Sequence, residues 1–466
     1  MDRFVDRERE LARLRSLYRS DRAELAIIYG RRRLGKTELV IQSLAGRSDA
    51  VVYQARQKTR ALQIEQFVDI AAELTPGITS IRREWEPLLQ YLADRNVIVV
   101  LDEFPYLIEE DSSLPSVLQA MVDHELSDST ATFVLVGSSI SMMEEAALLG
   151  TSPLYGRASE KLDVRQLPFA AAMEFFDDEY TPDERILLWS IFGGTPYYLE
   201  VAAKADSIEE AVYRSVLSRD APLRDDPDYV LRMELTEPTR YFSTLEAIAG
   251  GATTRNEIAG ATSIDRQQLS KYLSRLERLR LIERQVPITE RKERSRRGRY
   301  RLRDPLFRFW FRFVYGSGTR YDEFGPSAVE ELVEPELADF ASSEFERLCQ
   351  RALRSLYPKE TIAEVGQWWY REHEIDVVGM TTGRTLIVGE CKFRNSPVGY
   401  DALASLERHA NELRWTPSDG AERAVEHALF ARTGFTDAVR EEAVARDDLR
   451  LFCVDDVLAA LSHRTD

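Results

Sequence analysis

The chain has 466 residues, of which 44% are hydrophobic and 30% charged; such a chain holds about three globular domains and is neither fibrous nor disordered. No apolar run reaches the roughly 18–20 residues of a membrane span, and the charged start MDRFVDRERELARL is not expected to act as a secretory leader. The net charge of −17 excludes a generally basic nucleic-acid coat protein, and only eight of the 62 basic side chains are lysines; an acidic, lysine-poor surface suits the salt-rich cytoplasm of a halophilic archaeon and a GC-rich genome.

The first predicted element is the apolar strand Leu25–Tyr29 within ELAIIYGRRRLGKTELV. It runs into Gly30, Arg31, Arg32, Arg33, Leu34, Gly35, Lys36, Thr37 and Glu38, the expected nucleotide-binding residues, and on into a helical apolar pattern. This is G-x-x-x-x-G-K-T in its strand–loop–helix setting. Glycines let backbone N–H groups wrap phosphates, and the helix start adds partial positive charge. Lys36 is expected on the β- and γ-phosphates and the Thr37 hydroxyl on Mg²⁺. The pattern implies a nucleoside triphosphate, with ATP the expected one. A second apolar run, Asn96–Leu101, ends in Asp102 and Glu103. Asp102 is the expected Mg²⁺ holder and Glu103 the base for an attacking water. A third strand, Thr132–Val136, leads to Ser138 and Ser139. Either serine suits the γ-phosphate or the water, and Ser138 is the one assigned to the nucleotide. Arg157, in Pro153-Leu154-Tyr155-Gly156-Arg157, is a candidate arginine finger, in cis or from a neighbouring copy in a homo-oligomer.

Together with Phe4-Val5-Asp6-Arg7-Glu8-Arg9-Glu10-Leu11 at the start, these motifs resemble the archaeal AAA+-type P-loop ATPases, relatives of origin-recognition and signal-transduction NTPases. The resemblance covers about residues 1–220. It implies that Phe4 and Val5 line the adenine pocket. It also implies that Gly193-Gly194-Thr195-Pro196-Tyr197-Tyr198-Leu199 is a nucleotide-sensing element of a helical lid. The basic insert Arg31-Arg32-Arg33 departs from the family pattern; extra phosphate contacts and a partner-facing role both remain open.

Farther along, Thr239–Ile248, a short helix from Thr254 and a third helix capped by Asp265 precede two strands around a basic loop. Leu269, Tyr272, Leu273, Leu276 and Leu279 give the third helix its buried stripe. Three helices and a hairpin make a winged helix. Its third helix would present Gln267, Gln268, Lys271 and Arg275 to a DNA groove, and the wing would grip phosphates through Arg291, Lys292, Arg294, Arg296, Arg297 and Arg299. Residues 291–303, RKERSRRGRYRLR, carry eight basic side chains and one acidic. A protein-binding use, with the arginines paired to acidic surface, is the alternative. The aromatic stretch Leu306–Phe313 suits a packed helix between domains, and residues 316–326 read as linker.

The last region places Glu374–Gly379 and Thr385–Lys392 as a strand hairpin. Glu390 and Lys392 share one face while Cys391 points away, and Asp376 would meet Glu390. Two carboxylates suit Mg²⁺, and the lysine can orient a water. The pattern D…E-x-K resembles the restriction-endonuclease-like fold, which implies Glu346 as a further metal ligand; no clear proline precedes Asp376. The three scattered cysteines imply neither a disulfide framework nor a zinc site, hence a reducing cytoplasm, and five histidines are too dispersed for a metal cluster.

The expected fold is α/β: a P-loop ATPase core (1–165), a helical lid (166–230), a winged helix (231–315) and a restriction-endonuclease-like α/β domain (330–466). The expected function is ATP hydrolysis coupled to DNA binding and metal-dependent DNA cleavage. An ATP-dependent switch with an inert nuclease-like domain is the alternative.

Overall fold

The computed structural model describes residues 3–126, 128–177, 179–235, 237–417 and 419–462. They group into two compact units, one spanning Met1–Leu167, Thr195–Tyr197 and Arg232–Thr236, the other Pro168–Gly194, Tyr198–Leu231 and Glu237–Asp466. Among the described residues no helix is long and apolar enough to cross a membrane.

The first unit is built on β1 (Glu24–Tyr29), β2 (Ala50–Gln54), β3 (Ile98–Asp102), β4 (Thr132–Gly137) and β5 (Glu160–Asp163). They form a parallel sheet in the order β2-β3-β4-β1-β5. Their near-continuous apolar sequences follow from burial on both faces. Leu25, Ile27, Val99, Leu101, Phe133 and Leu135 enter one core. Ala26, Ile28, Ile98, Val100, Val134 and Val136 enter the other. Helices α1 (Glu8–Leu17) and α2 (Lys36–Ser43) pack together, and Phe4 leans on the second core beside Leu34, Leu39 and Val40. Because all five strands run the same way, the ends of β1, β3 and β4 open on one edge of the sheet, where such folds place ligands.

In the second unit, α3 (Pro182–Phe192) starts with a capping box between Thr181 and Glu184. Farther along the chain, after shorter helices, come α4 (Thr239–Ala249), α5 (Arg255–Thr262) and α6 (Arg266–Arg278), then an antiparallel pair, β6 (Ile282–Gln285) and β7 (Arg299–Leu302). Asp265 caps α6 by accepting from the Gln267 amide at 2.8 Å. Phe307, Phe309, Trp310, Phe311 and Phe313 are buried and pack with Phe242, Tyr315 and Phe340, so this stretch is core. The expected linker at 316–326 is instead largely helical, with helices at Gly318–Phe324 and Ser327–Leu332. Its glycines punctuate helices, Gly316 at φ 77° and Gly325 at φ 63°, while the buried Tyr321 donates to the Phe313 carbonyl.

The unit ends with α7 (Glu334–Leu356), β8 (Ile362–Tyr370), β9 (His373–Thr381), β10 (Thr385–Lys392), α8 (Tyr400–Glu412), β11 (Ala424–Ala431) and β12 (Leu449–Cys453). The sheet order is β12-β11-β10-β9-β8, antiparallel from β8 to β10 and parallel from β10 to β12. On one face, Leu403 and Leu406 of α8 pack with Ile375, Val388 and Leu429. Helix α7 also packs against β8, β9 and β10; a Cβ on Gly379 would stand 2.8 Å from Leu353 Cδ2, so a larger residue there makes the Leu353 side chain shift. Cys349 and Cys391, distant in sequence, are both free thiols buried in the core.

Candidate functional site

At the end of β1 the chain turns at Gly30, with φ 150°. A Cβ there would lie 2.3 Å from the Val164 carbonyl oxygen, so glycine is required by packing as well as by conformation. Arg33 at φ 72° and Gly35 at φ 80° complete a loop of left-handed positions before α2, the backbone habit of an anion-binding nest. Lys36 is buried, and its Nζ donates to the Gly30 and Arg31 carbonyls at 2.9 and 2.8 Å. Burial pushes its ammonium down to about 8 against the upward pull of Glu103 and Asp102. Thr37 Oγ1 donates to Asp102 Oδ2 at 2.7 Å. Burial raises the Asp102 carboxyl, and the Thr37 bond opposes it. Glu103, at φ 52°, accepts from Ser138 Oγ at 3.0 Å. Residues from the ends of β1, β3 and β4 thus converge.

Other candidates lie differently. Leu34 is buried in the core, and Glu38 accepts from Gln42 within α2 at 2.8 Å. Val5 is half-buried. Arg157 is held by Asp123, with Nη2 to Oδ2 at 2.8 Å, and by the Pro153 carbonyl. Ser139 caps the helix Ile140–Met143. In the basic insert, Arg33 stacks on Tyr197 at 4.0 Å and Arg32 reaches Met233 Sδ at 3.4 Å. Sequence reasoning missed Glu234, which accepts from the Ile140 amide at 3.0 Å and the Ser141 hydroxyl at 2.9 Å; nothing local announces a carboxylate so far along the chain. It also missed Gln54, 3.4 Å from Asp102 Oδ2, legible only once β2 is known to pair with β3.

A second constellation lies on the C-terminal sheet. The β9–β10 register runs to Val377 opposite Gly389, so the next step sets Asp376 beside Glu390. Asp376 Oδ2 accepts from the Cys391 amide at 2.9 Å, Gln350 Nε2 donates to the Asp376 carbonyl at 2.7 Å, and Lys392 Nζ donates to Glu390 Oε1. From α7, Glu346 accepts from Gln367 Nε2 at 2.9 Å. Burial, then Glu346 and Glu390, push the Asp376 carboxyl well up; burial, then Glu374, raise Glu346 to about 7. Among the described residues these side chains do not close as a ready cage for an ion, since each is turned to a protein partner. Their oxygen donors nonetheless suit Mg²⁺ or Mn²⁺. Two residues from Glu346, Glu344 meets Arg347 at 3.0 Å and Arg308 at 3.5 Å. Against the cost of burial, these arginines hold its carboxyl at about 2.

Residues 4–202 match the family described as an ATPase domain predominantly from Archaea, and residues 310–409 match one described as "Archaea bacterial proteins of unknown function". An uncharacterized protein of Methanocaldococcus jannaschii is 33% identical over 383 residues, 81% of this chain and 84% of its own length. The chain belongs to this archaeal ATPase family. An uncharacterized ATP-binding protein of Pyrococcus abyssi is 26% identical over 280 residues, 50% of this chain and 82% of its own. In fold, a Walker-type ATPase of Pyrococcus abyssi superposes with a TM-score of 0.51 at 18% identity, over 66% of this chain and 96% of that one.

In this ATPase, Gln267, Gln268 and Lys271 are exposed on α6 and Arg275 is half-buried; Gln268 accepts from Arg240 at 2.7 Å. Arg291, Lys292, Arg294, Arg296 and Arg297 are exposed. The loop carrying them is pinned to β8 and β9. Ile288 N donates to the Gln367 carbonyl at 2.8 Å, Trp369 Nε1 donates to the Arg297 carbonyl at 3.1 Å, and Arg299 pairs with Glu374 at 2.6 Å.

Proposed function

We propose that this ATPase hydrolyses ATP with Mg²⁺ and couples its nucleotide state to DNA binding and metal-dependent DNA cleavage in the cytoplasm. The observation that carries the first half is the convergence of Lys36, Thr37, Asp102, Glu103 and Ser138 at the sheet edge. Thr37 and Asp102 supply hard oxygen donors where Mg²⁺ is needed; bound there, the ion neutralises charge on the β- and γ-phosphates. The loop amides and Lys36 bind the phosphates, and Glu103, oriented by Ser138, takes the proton of the attacking water. Arg33 against Tyr197 supports a sensing role for the 193–199 element. Arg157 is the candidate finger toward a neighbouring copy in a homo-oligomer.

For the second half, α4 to α6 with the β6–β7 hairpin favour a winged helix, with α6 toward the DNA groove and the basic loop toward phosphates. The order α7-β8-β9-β10-α8-β11 favours a restriction-endonuclease-like domain. Asp376, Glu390 and Glu346 would hold Mg²⁺ or Mn²⁺, and Lys392 would orient the water. The test is cleavage of plasmid and linear DNA in high-salt buffer with either metal, with and without ATP. Asp376→Ala is expected to abolish cleavage and spare ATP hydrolysis, and Lys36→Ala to abolish ATP binding. Wild-type protein that binds DNA and hydrolyses ATP without cutting would make it a switch with an inert nuclease-like domain. ATP affinity retained in Lys36→Ala would overturn the nucleotide reading.

A further inference from the structure

The second unit contains a cavity of about 560 Å³ between the start of α5, the basic loop and the β8–β9 turn. Arg255, Arg284, Arg296, Arg297, Arg299 and Arg371 line it, and no aspartate or glutamate does. In a chain of net charge −17, six guanidinium groups line one hollow; Arg297 is paired with Glu290 and Arg299 with Glu374, and the other four leave a concentrated positive field.

The hollow is also built. Arg284 passes beneath Gly298, where a Cβ would lie 2.3 Å from its Nε, and donates to the Lys292 and Ser295 carbonyls at 2.6 Å each. That clamp fixes the loop without using a carboxylate. Opposite, the Arg299 guanidinium lies 4.6 Å from the Trp369 ring centroid while it pairs with Glu374. Arg255, Arg296 and Arg371 are exposed and have no carboxylate partner among the described residues. Guanidinium forks match phosphate oxygens in geometry as well as charge.

We infer that this cavity is a binding pocket for the phosphates of a single nucleic-acid strand, separate from the groove-facing surface of α6. Its volume lies within the roughly 300–1,000 Å³ of pockets that enclose one small ligand, enough for a nucleotide or two and too little for a duplex. Arg371 sits in the β8–β9 turn, two residues before β9 begins at His373, and Asp376 lies three residues into that strand, roughly 10 Å from its start. A strand held at Arg371 is therefore led toward the carboxylates. The inference rests on the nucleic-acid part of the proposed function and not on cleavage.

The test uses the full-length Asp376→Ala protein, so that binding is read without cutting. Anisotropy of a labelled single-stranded 20-mer and of its duplex is measured across a salt series. Variants are Arg371→Ala, Arg255→Ala and, on α6, Lys271→Ala with Arg275→Ala. Inorganic phosphate and dTMP serve as competitors. The cavity variants are expected to weaken single-strand binding at least fivefold, to flatten the salt slope by about 0.7 per lost phosphate contact, and to affect the duplex less. Unchanged single-strand affinity and slope in both cavity variants would overturn the inference, and the winged-helix reading would survive if the α6 variant still lost duplex binding. Competition by dTMP or phosphate as effective as by the oligonucleotide would replace the strand with a free phosphate ligand. Wild-type affinity for neither nucleic acid would overturn both readings.

Discussion

Glu344 and Glu346 stand two residues apart on α7, about 200° around the helix, and titrate in opposite directions. Glu344 faces arginines and is held at about 2, whereas Glu346 faces carboxylates and rises to about 7. A carboxyl depressed on folding contributes stability that is complete above its ordinary value near 4.5 and fades as pH falls toward 2. Glu344→Gln is therefore expected to melt earlier at neutral pH, by about 3–5 kcal/mol for a broken buried pair. It should also lose part of the wild-type decline between pH 4.5 and 2; melting curves across that range check both. In the nucleotide site, Glu103→Gln keeps the shape and hydrogen bonding of the side chain and removes its basicity. ATP affinity should persist while turnover falls at least ~100-fold, as read by calorimetry beside a phosphate-release assay.

At the scale of elements, the apolar runs 25–29, 96–101 and 132–136 were legible because a strand buried on both faces leaves few polar positions. The motif at 30–37 located the phosphate loop because few sequences satisfy that turn. The alternation Glu390-Cys391-Lys392 gave the correct face for each side chain. What escaped was long-range: Glu234 capping a helix that begins at Ile140 and Tyr197 under Arg33 depend on tertiary placement that no local pattern encodes. The 316–326 stretch misled for the opposite reason, since glycines that end helices look like glycines that loosen a linker. Gly379 offers a test of packing. In Gly379→Val the added methyls meet Leu353 and Ile362 and press on α7, which carries Glu346. Stability should drop by about 1–3 kcal/mol, and DNA cleavage should fail with ATP hydrolysis intact, as seen by assaying both on one preparation.

Across the whole molecule, the two units are not consecutive stretches of chain. The segments Thr195–Tyr197 and Arg232–Thr236 belong with the nucleotide-binding unit, although everything between and after them belongs to the other. A division into successive domains along the sequence cannot express that threading. Tyr197 and Glu234 lie on these two returning segments, one against the phosphate loop and one at the end of β4. The threading bears on what a protease can accomplish. One nick after Leu167 leaves the amino-terminal fragment clasping two short pieces of its severed remainder, by contacts internal to its own unit. The fragments should elute together from a sizing column and part only in denaturant. The molecule is cut, yet it is not divided.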